Sequence, residues 1–327
     1  MLNPFVKSNL GFSDAELMAA IIEMPIVYGR TNQLNIFPVQ PTSRTSILVE
    51  KRKEILNVLE FQPRGAPGTV AEKENRDIRS FVIPHVPHDD SISPEDVQDI
   101  RAFASDNQME TTNSLLIRKL MAIRNKHSIT LERMRMGALK GQIKRADGSV
   151  LIDLYKEFSI NQKNIDFVLG TAGTDVKTKC FEVKRHMEDK LLGEVMDGVH
   201  CLCSATFFDA FTSHAEVKSA YSRFQDGIAL IEDNRRAFRF GGITFEEYRG
   251  KAPLPNGTVE DFIPEGDCRF YPTGTLSTFW TYFGPGDFMD TVNTPGQEIY
   301  IRQKDKDFNR GVHNQTRLLF VCARHFW

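Results

Sequence analysis

The residues best suited to chemistry are few and scattered along the chain. His85 and His88, with Asp89 and Asp90, form the densest ligand-like cluster. A metal site needs such donors in fixed geometry. These lie in a segment broken by Pro84 and Pro87, so the expectation is solvated or interface side chains. Asp305, Asp307 and His313 read as a solvated charged loop, and His127, His186 and His200 as hydrogen-bonded structural residues. Cys201-Leu202-Cys203 is expected to put its thiols on opposite faces of a strand, a poor metal clamp, and so to supply two small buried hydrophobes. The turn at residues 170–174 lacks the Lys-Ser/Thr ending of a phosphate-binding loop and the glycine spacing of a dinucleotide site. There is no His-Glu-x-x-His pair and no Gly-x-Ser-x-Gly elbow. No carboxylate pair or Cys/His pair stands out as an acid–base or nucleophile set. The expectation is a protein without catalysis, cofactor or metal.

A different grouping is basic. Arg118, Lys119, Arg124, Lys126, Arg133 and Arg135 fall on one helical stretch, followed by Lys140, Lys144 and Arg145, with only Glu132 opposing them between residues 118 and 145. They suit a solvated helix face, or a weak electrostatic contact with DNA or an acidic partner. The whole chain is not basic: its net charge is -2 and its sequence pI about 6.5, which excludes a dedicated nucleic-acid binder.

The elements that must position these residues follow from pattern. Hydrophobic residues make up 41% and charged residues 26% of 327, enough for a sizeable core and too apolar for global disorder. No apolar run approaches the roughly 20 residues of a membrane span. The first residues lack the charged and apolar regions of a signal peptide. Five cysteines at irregular spacing suggest a reducing compartment and free thiols.

Ser13 and Glu16 make a capping box for a short helix carrying Leu17, Ala20, Ile21 and Met24 on one face. Residues 26–44 read as an extended arm, with Pro38 and Pro41 barring it from central pairing. Two β-like runs, 46–61 and 77–86, flank a turn-rich tip at 62–68 and a charged run at 71–79. This stretch has no companion of its own to pack on, so it is expected to project. Ser93-Pro94 starts a helix. The longest helical signal runs over 109–139, about 45 Å if continuous. Residues 146–149, Ala-Asp-Gly-Ser, mark a hairpin turn between runs 139–145 and 150–158. Further helices are expected at 176–191, 205–211 and 215–224. Strands are expected at 165–169, 199–203, 238–245, 268–272, 278–283, 298–302 and 317–323.

Several motifs run through the chain in order. They are Pro-Arg-Gly-Ala-Pro-Gly at 63–68, Phe-Val-Ile-Pro-His-Val-Pro-His-Asp-Asp at 81–90, and Arg-Ala-Phe at 101–103. Next come Gly141 with Asp147-Gly148, Phe-Phe-Asp-Ala-Phe at 207–211, and Phe-Glu-Glu-Tyr-Arg-Gly at 245–250. Tyr-Phe-Gly-Pro-Gly-Asp-Phe at 282–288 and Thr-Val-Asn-Thr-Pro-Gly at 291–296 complete the set. By these the sequence resembles the lambda-like major capsid proteins of tailed bacteriophages, the major capsid protein E family.

The resemblance implies an α+β chain of the Hong Kong-type phage capsid fold. Its expected parts are an N-terminal helix and arm (1–43), an extended β-hairpin loop (44–90), a peripheral domain with a long spine helix (91–165), an axial domain (166–264), and C-terminal β segments returning to the peripheral domain (265–327). It implies self-assembly into hexamers and pentamers of an icosahedral head enclosing double-stranded DNA, in the host bacterial cytoplasm. The expected partners are other copies, a scaffold protein, a portal, a decoration protein and packaged DNA, with no membrane. Ile36, Phe37, Arg64, Gly65, Pro67, Arg79 and Phe81 are the expected inter-subunit contacts. The six helix cations Arg118 to Arg135 are expected to face the DNA. The alternatives are an encapsulin-like compartment protein and a cytosolic enzyme using residues 85–90.

Overall fold

The computed structural model describes residues 14–24, 29–52, 76–96, 112–191, 194–228, 238–276, 278–305 and 310–322. The chain divides into two compact units.

The first unit comprises Met1–Ile47, Val82–Arg135 and Trp280–Val321. It holds helix α1 (Asp14–Glu23), a single turn α2 (Arg30–Gln33), and most of α3 (Thr112–Leu139), within which the boundary falls. Its five-stranded sheet has β1 (Val39–Pro41), β13 (Phe279–Phe283), β15 (Arg310–Cys322) and β14 (Tyr300–Asp305) in that order, with β4 (His85–Ile92) also pairing β15. β1 runs parallel to β13 at one end of that order, where the lost N–H groups of Pro38 and Pro41 cost least. β4 lies antiparallel to β15, from His85 opposite Arg317 to Ile92 opposite Arg310. Val312, Asn314 and Phe320 of β15 lie against α3, spaced as the two-residue period of a strand requires. Val312 thus joins Leu17, Ile21, Ile92, Leu116, Leu120, Ile123 and Ile301 in the core. The 116, 120, 123, 127, 131, 134 spacing makes one buried stripe along α3.

The second unit comprises Leu48–Phe81, Met136–Phe279 and Cys322–Trp327. Its four-stranded sheet has the order β12 (Cys268–Thr273), β7 (Gly198–Cys203), β9 (Ile243–Glu247), β8 (Phe238–Phe240). Helices α5 (Val176–Leu191), α6 (Ala205–Ser213) and α7 (Ala215–Ile228) belong to the same unit. Ser204 caps α6 by accepting from the Phe207 N–H. An aromatic core forms where Phe211 stacks 4.1 Å from Phe245 and edge-on against Phe238 and Phe240. Two small hairpins complete the unit, β5 (Gln142–Lys144) with β6 (Val150–Asp153), and β10 (Lys251–Pro253) with β11 (Val259–Asp261). β2 (Ser46–Arg52) pairs with β3 (Arg76–Val82) as a two-stranded ladder, most of whose residues fall in the second unit.

The expected elements are met with these differences. The strand expected over 165–169 does not form, those residues lying in an irregular stretch and turn, and the arm expected to be extended over 26–44 holds the helical turn α2 (Arg30–Gln33). The strand expected over 150–158 stops at Asp153, whose carboxylate accepts from the Lys156 N–H and starts the short helix α4 (Leu154–Phe158). The stretch 44–90 does not project as one piece: residues 85–90 belong to β4 and the five-stranded sheet. The helix expected from Ser93 begins as a 3-10 turn, Pro94–Asp96, with Asp96 accepting from both the N–H and hydroxyl of Ser93; its continuation lies outside the described residues.

Candidate assembly surfaces

The arm anchors are the first correction. Ile36 and Phe37 are 7% and 3% exposed within their own chain. The Phe37 ring lies edge-on 5.5 Å from Phe320, and its carbonyl accepts from the Thr281 hydroxyl at 3.2 Å. Apolar residues in an extended arm find their own sheet here, so they are not left for a neighbour.

Phe81 is a second correction. It is buried, with its ring 5.8 Å from Phe158. The Arg79 guanidinium sits 5.7 Å over the same Phe158 ring, a cation–π contact. Arg64, Gly65 and Pro67 lie outside the described residues. Among the described apolar side chains of the β2–β3 ladder, Leu48 (53%) and Val82 (72%) are exposed, while Ile47 (8%) and Phe81 (6%) are buried. Strand alternation could have sorted these from the sequence, because Leu48 is one residue from Ile47 and Val82 one from Phe81.

The basic stretch does not form one continuous face, which corrects the third expectation. Arg124 is 3% exposed and binds Glu298 at 2.9 Å and 3.4 Å. Arg135 is 6% exposed, with its guanidinium 5.3 Å over Phe320. Lys119 pairs with Asp90 at 3.0 Å. Arg118 and Lys126 are exposed and Arg133 half-buried. A helix with cations at 118, 124, 126, 133 and 135 spreads them round its circumference, and the 3.6-residue period puts 124 and 135 beside the apolar stripe.

The 85–90 cluster is a set of separate pairs. His88 Nε2 is 3.0 Å from Lys126 Nζ, Asp89 holds His313, and His85 Nε2 is 2.5 Å from Gln315 Oε1. Among the described residues no group of three or more His, Cys, Asp or Glu side chains is placed to hold a metal ion. His127, His200 and His214 sit in structural contacts, with Asn314, Glu246 and the Thr171 carbonyl respectively.

The thiols overturn another expectation. Cys201 and Cys203 share one face of β7, as residues two apart on a strand must, with their sulfurs 3.5 Å apart. Cys268 stands opposite Cys203 in the ladder. Burial pushes the Cys201 and Cys203 thiols above the ordinary range and Cys180 up to about 12.

The fold carries an apolar core in each unit, a two-stranded hairpin ladder and scattered exposed apolar side chains. Comparison with known proteins supplies the class. The sequence profile described as "Phage major capsid protein E" matches residues 13–325. The major capsid protein of Pseudomonas phage KPP10 is 32% identical over 91% of this chain and 89% of its own. That of Salmonella phage Felix O1 is 28% identical over 95% and 93%. The chain belongs to the phage major capsid protein E family.

Among solved structures, a protein assigned as a prophage capsid protein in E. coli CFT073 superposes with a TM-score of 0.53. It is 12% identical and covers 95% of this chain and 99% of its own. The mature capsid of bacteriophage PhiM1 gives 0.50 at 12% identity, over 91% and 84%. The fold is the α+β Hong Kong type.

Proposed function

We propose that this chain builds the shell of a phage head, assembling with copies of itself into hexamers and pentamers of an icosahedral particle around double-stranded DNA. The observation that carries this reading is the family match over residues 13–325. Shell building works by repeated self-association: closed symmetry reuses the same patches, and weak contacts suffice because the lattice is multivalent. The first unit with α3 serves as the peripheral domain and its spine, and residues 166–264 as most of the axial domain. The β2–β3 ladder is the base of the extended loop, which lies over the next copy.

A scaffold protein during assembly, a portal at one vertex, a decoration protein outside and assembly in the host cytoplasm complete the proposal. Arg118, Lys126 and Arg133 supply the DNA-facing contact; the buried Arg124 and Arg135 are withdrawn from it. Electron microscopy of the purified protein tests the reading. Closed shells are the expected result, and a monodisperse monomer across assembly conditions overturns it.

A further inference from the structure

Four of the eight histidines, His85, His88, His127 and His313, lie on β4, β15 and the helix packed against them. Two face α3. His127 is 4% exposed and its Nε2 is 2.6 Å from Asn314 Oδ1, so the neutral ring donates there from Nε2. Its Nδ1 is buried and has no hydrogen-bond partner, and neither has Asn314 Nδ2. A proton added at Nδ1 therefore creates a buried donor with no acceptor. His88 sits one register step away, because it pairs with Asn314 across the ladder. Its Nε2 accepts from the Lys126 ammonium at 3.0 Å, and a protonated His88 would point a cation at a cation.

The surrounding charges set the balance. On α3 these are Arg124 and Lys126, which both act against charging His127. Arg124 is already held by Glu298, and Glu132 is engaged by Thr31. On β4, Asp89 and Asp90 favour charging His88, but burial and Lys126 outweigh them. Asp90 is itself paired with Lys119, and Asp89 with His313 on the far face.

We propose that His127 and His88 form an acid-sensitive latch in which neutral rings hold α3 against the β4–β15 pair and protonation releases it. The sign follows from the two contacts. Both rings are held below the ordinary histidine value of 6.5 in the folded chain, by burial first and then, for His88, by Lys126. Full stability is present above that value and is lost as pH falls from it toward the lowered folded values.

Hydrogen exchange of the full chain, read by mass spectrometry and corrected for intrinsic rates between about pH 7.5 and about pH 5, tests this directly. Protection of α3 residues 114–131 is expected to fall by roughly tenfold more than that of α5 on acidification. His88→Gln and Lys126→Met, which alter side chains at or near the surface, are each expected to remove part of the differential loss. His127→Gln is expected to remove most of it. An α3 protection that tracks α5 through the range overturns the latch, as does an undiminished loss in the His88→Gln and Lys126→Met variants, which stand if His127→Gln fails to fold.

Discussion

Glu132 is 1% exposed, and its two carboxylate oxygens accept from the N–H and the hydroxyl of Thr31. This single side chain ties the arm to α3 across 101 positions of sequence. Glu132→Ala strands a buried N–H and removes the stronger-acting of the two carboxylates, Glu132 and Glu298, that favour the charged Arg135, so it is expected to cost about 3 kcal/mol. Glu132→Gln keeps one acceptor and should cost about half as much; the urea midpoint of the first unit's transition distinguishes them. The thiols give a second residue-scale prediction. With Cys180 pushed up to about 12 and Cys201 and Cys203 raised by burial, almost no thiolate is present at neutral pH. Native protein should leave all three unmodified by iodoacetamide at about pH 8, and urea should expose them; stoichiometric alkylation of the native chain, counted by mass spectrometry, would contradict the burial. At this scale the sequence was partly legible. Free, buried thiols could be read from composition and the structural role of His127 from its place in a helical stripe. The sharing of one face by Cys201 and Cys203 was equally available from the strand period. The Thr31–Glu132 bond was not, since no local pattern links residues so far apart.

The hairpin after α3 shows how an element is fixed by one backbone position. Gly141 has φ +81, and a Cβ there would come within 2.4 Å of the Tyr155 ring. Its N–H closes the helix on Ala138, its carbonyl accepts from Leu154, and the Tyr155 hydroxyl donates to Lys140 O at 2.8 Å. Gly141→Ala must both adopt a left-handed backbone and displace an aromatic ring, at about 2–4 kcal/mol. The melting temperature should fall by roughly 4–12 °C, as followed by circular dichroism. Gly148, also at positive φ, has open space around its Cβ position, so Gly148→Ala should cost only about 1 kcal/mol. Elements with a strong local period were legible: α3, α5 and the turn at 146–149 fall where apolar spacing and Asp-Gly chemistry put them. β4 was not. Its Pro87, His88 and Asp89 look like a loop, and they form a strand only because β15 supplies a partner for residues 85–92. Pairing from distant sequence overrides local propensity.

At the scale of the whole molecule, one ladder carries buried apolar side chains and exposed ones, and the proposed assembly role can be tested on the exposed ones. Ile47 and Phe81 are buried, and Leu48 and Val82 exposed. Polar substitution of the buried pair should unfold the subunit's hairpin base, at about 2–4 kcal/mol for Phe81→Ser. Leu48→Ser with Val82→Ser removes little internal packing and should leave a folded, soluble chain. If the exposed pair is covered by a neighbouring copy, each lost contact costs about 1.5–3 kcal/mol at every interface of the lattice, and repetition turns that into loss of the shell. Deleting residues 62–74 makes the same test more drastically, since it removes the expected clasp and keeps both described strands. Sedimentation should therefore show free subunits for the deletion and the double serine variant, with native far-ultraviolet dichroism in both. Wild-type shells from the double variant would place the copy-to-copy contact on another apolar surface, of which the exposed Ile117 and Met121 on α3 (44% and 50%) are the next to substitute. Shells from the deletion as well would mean that the hairpin contributes nothing to holding the lattice together.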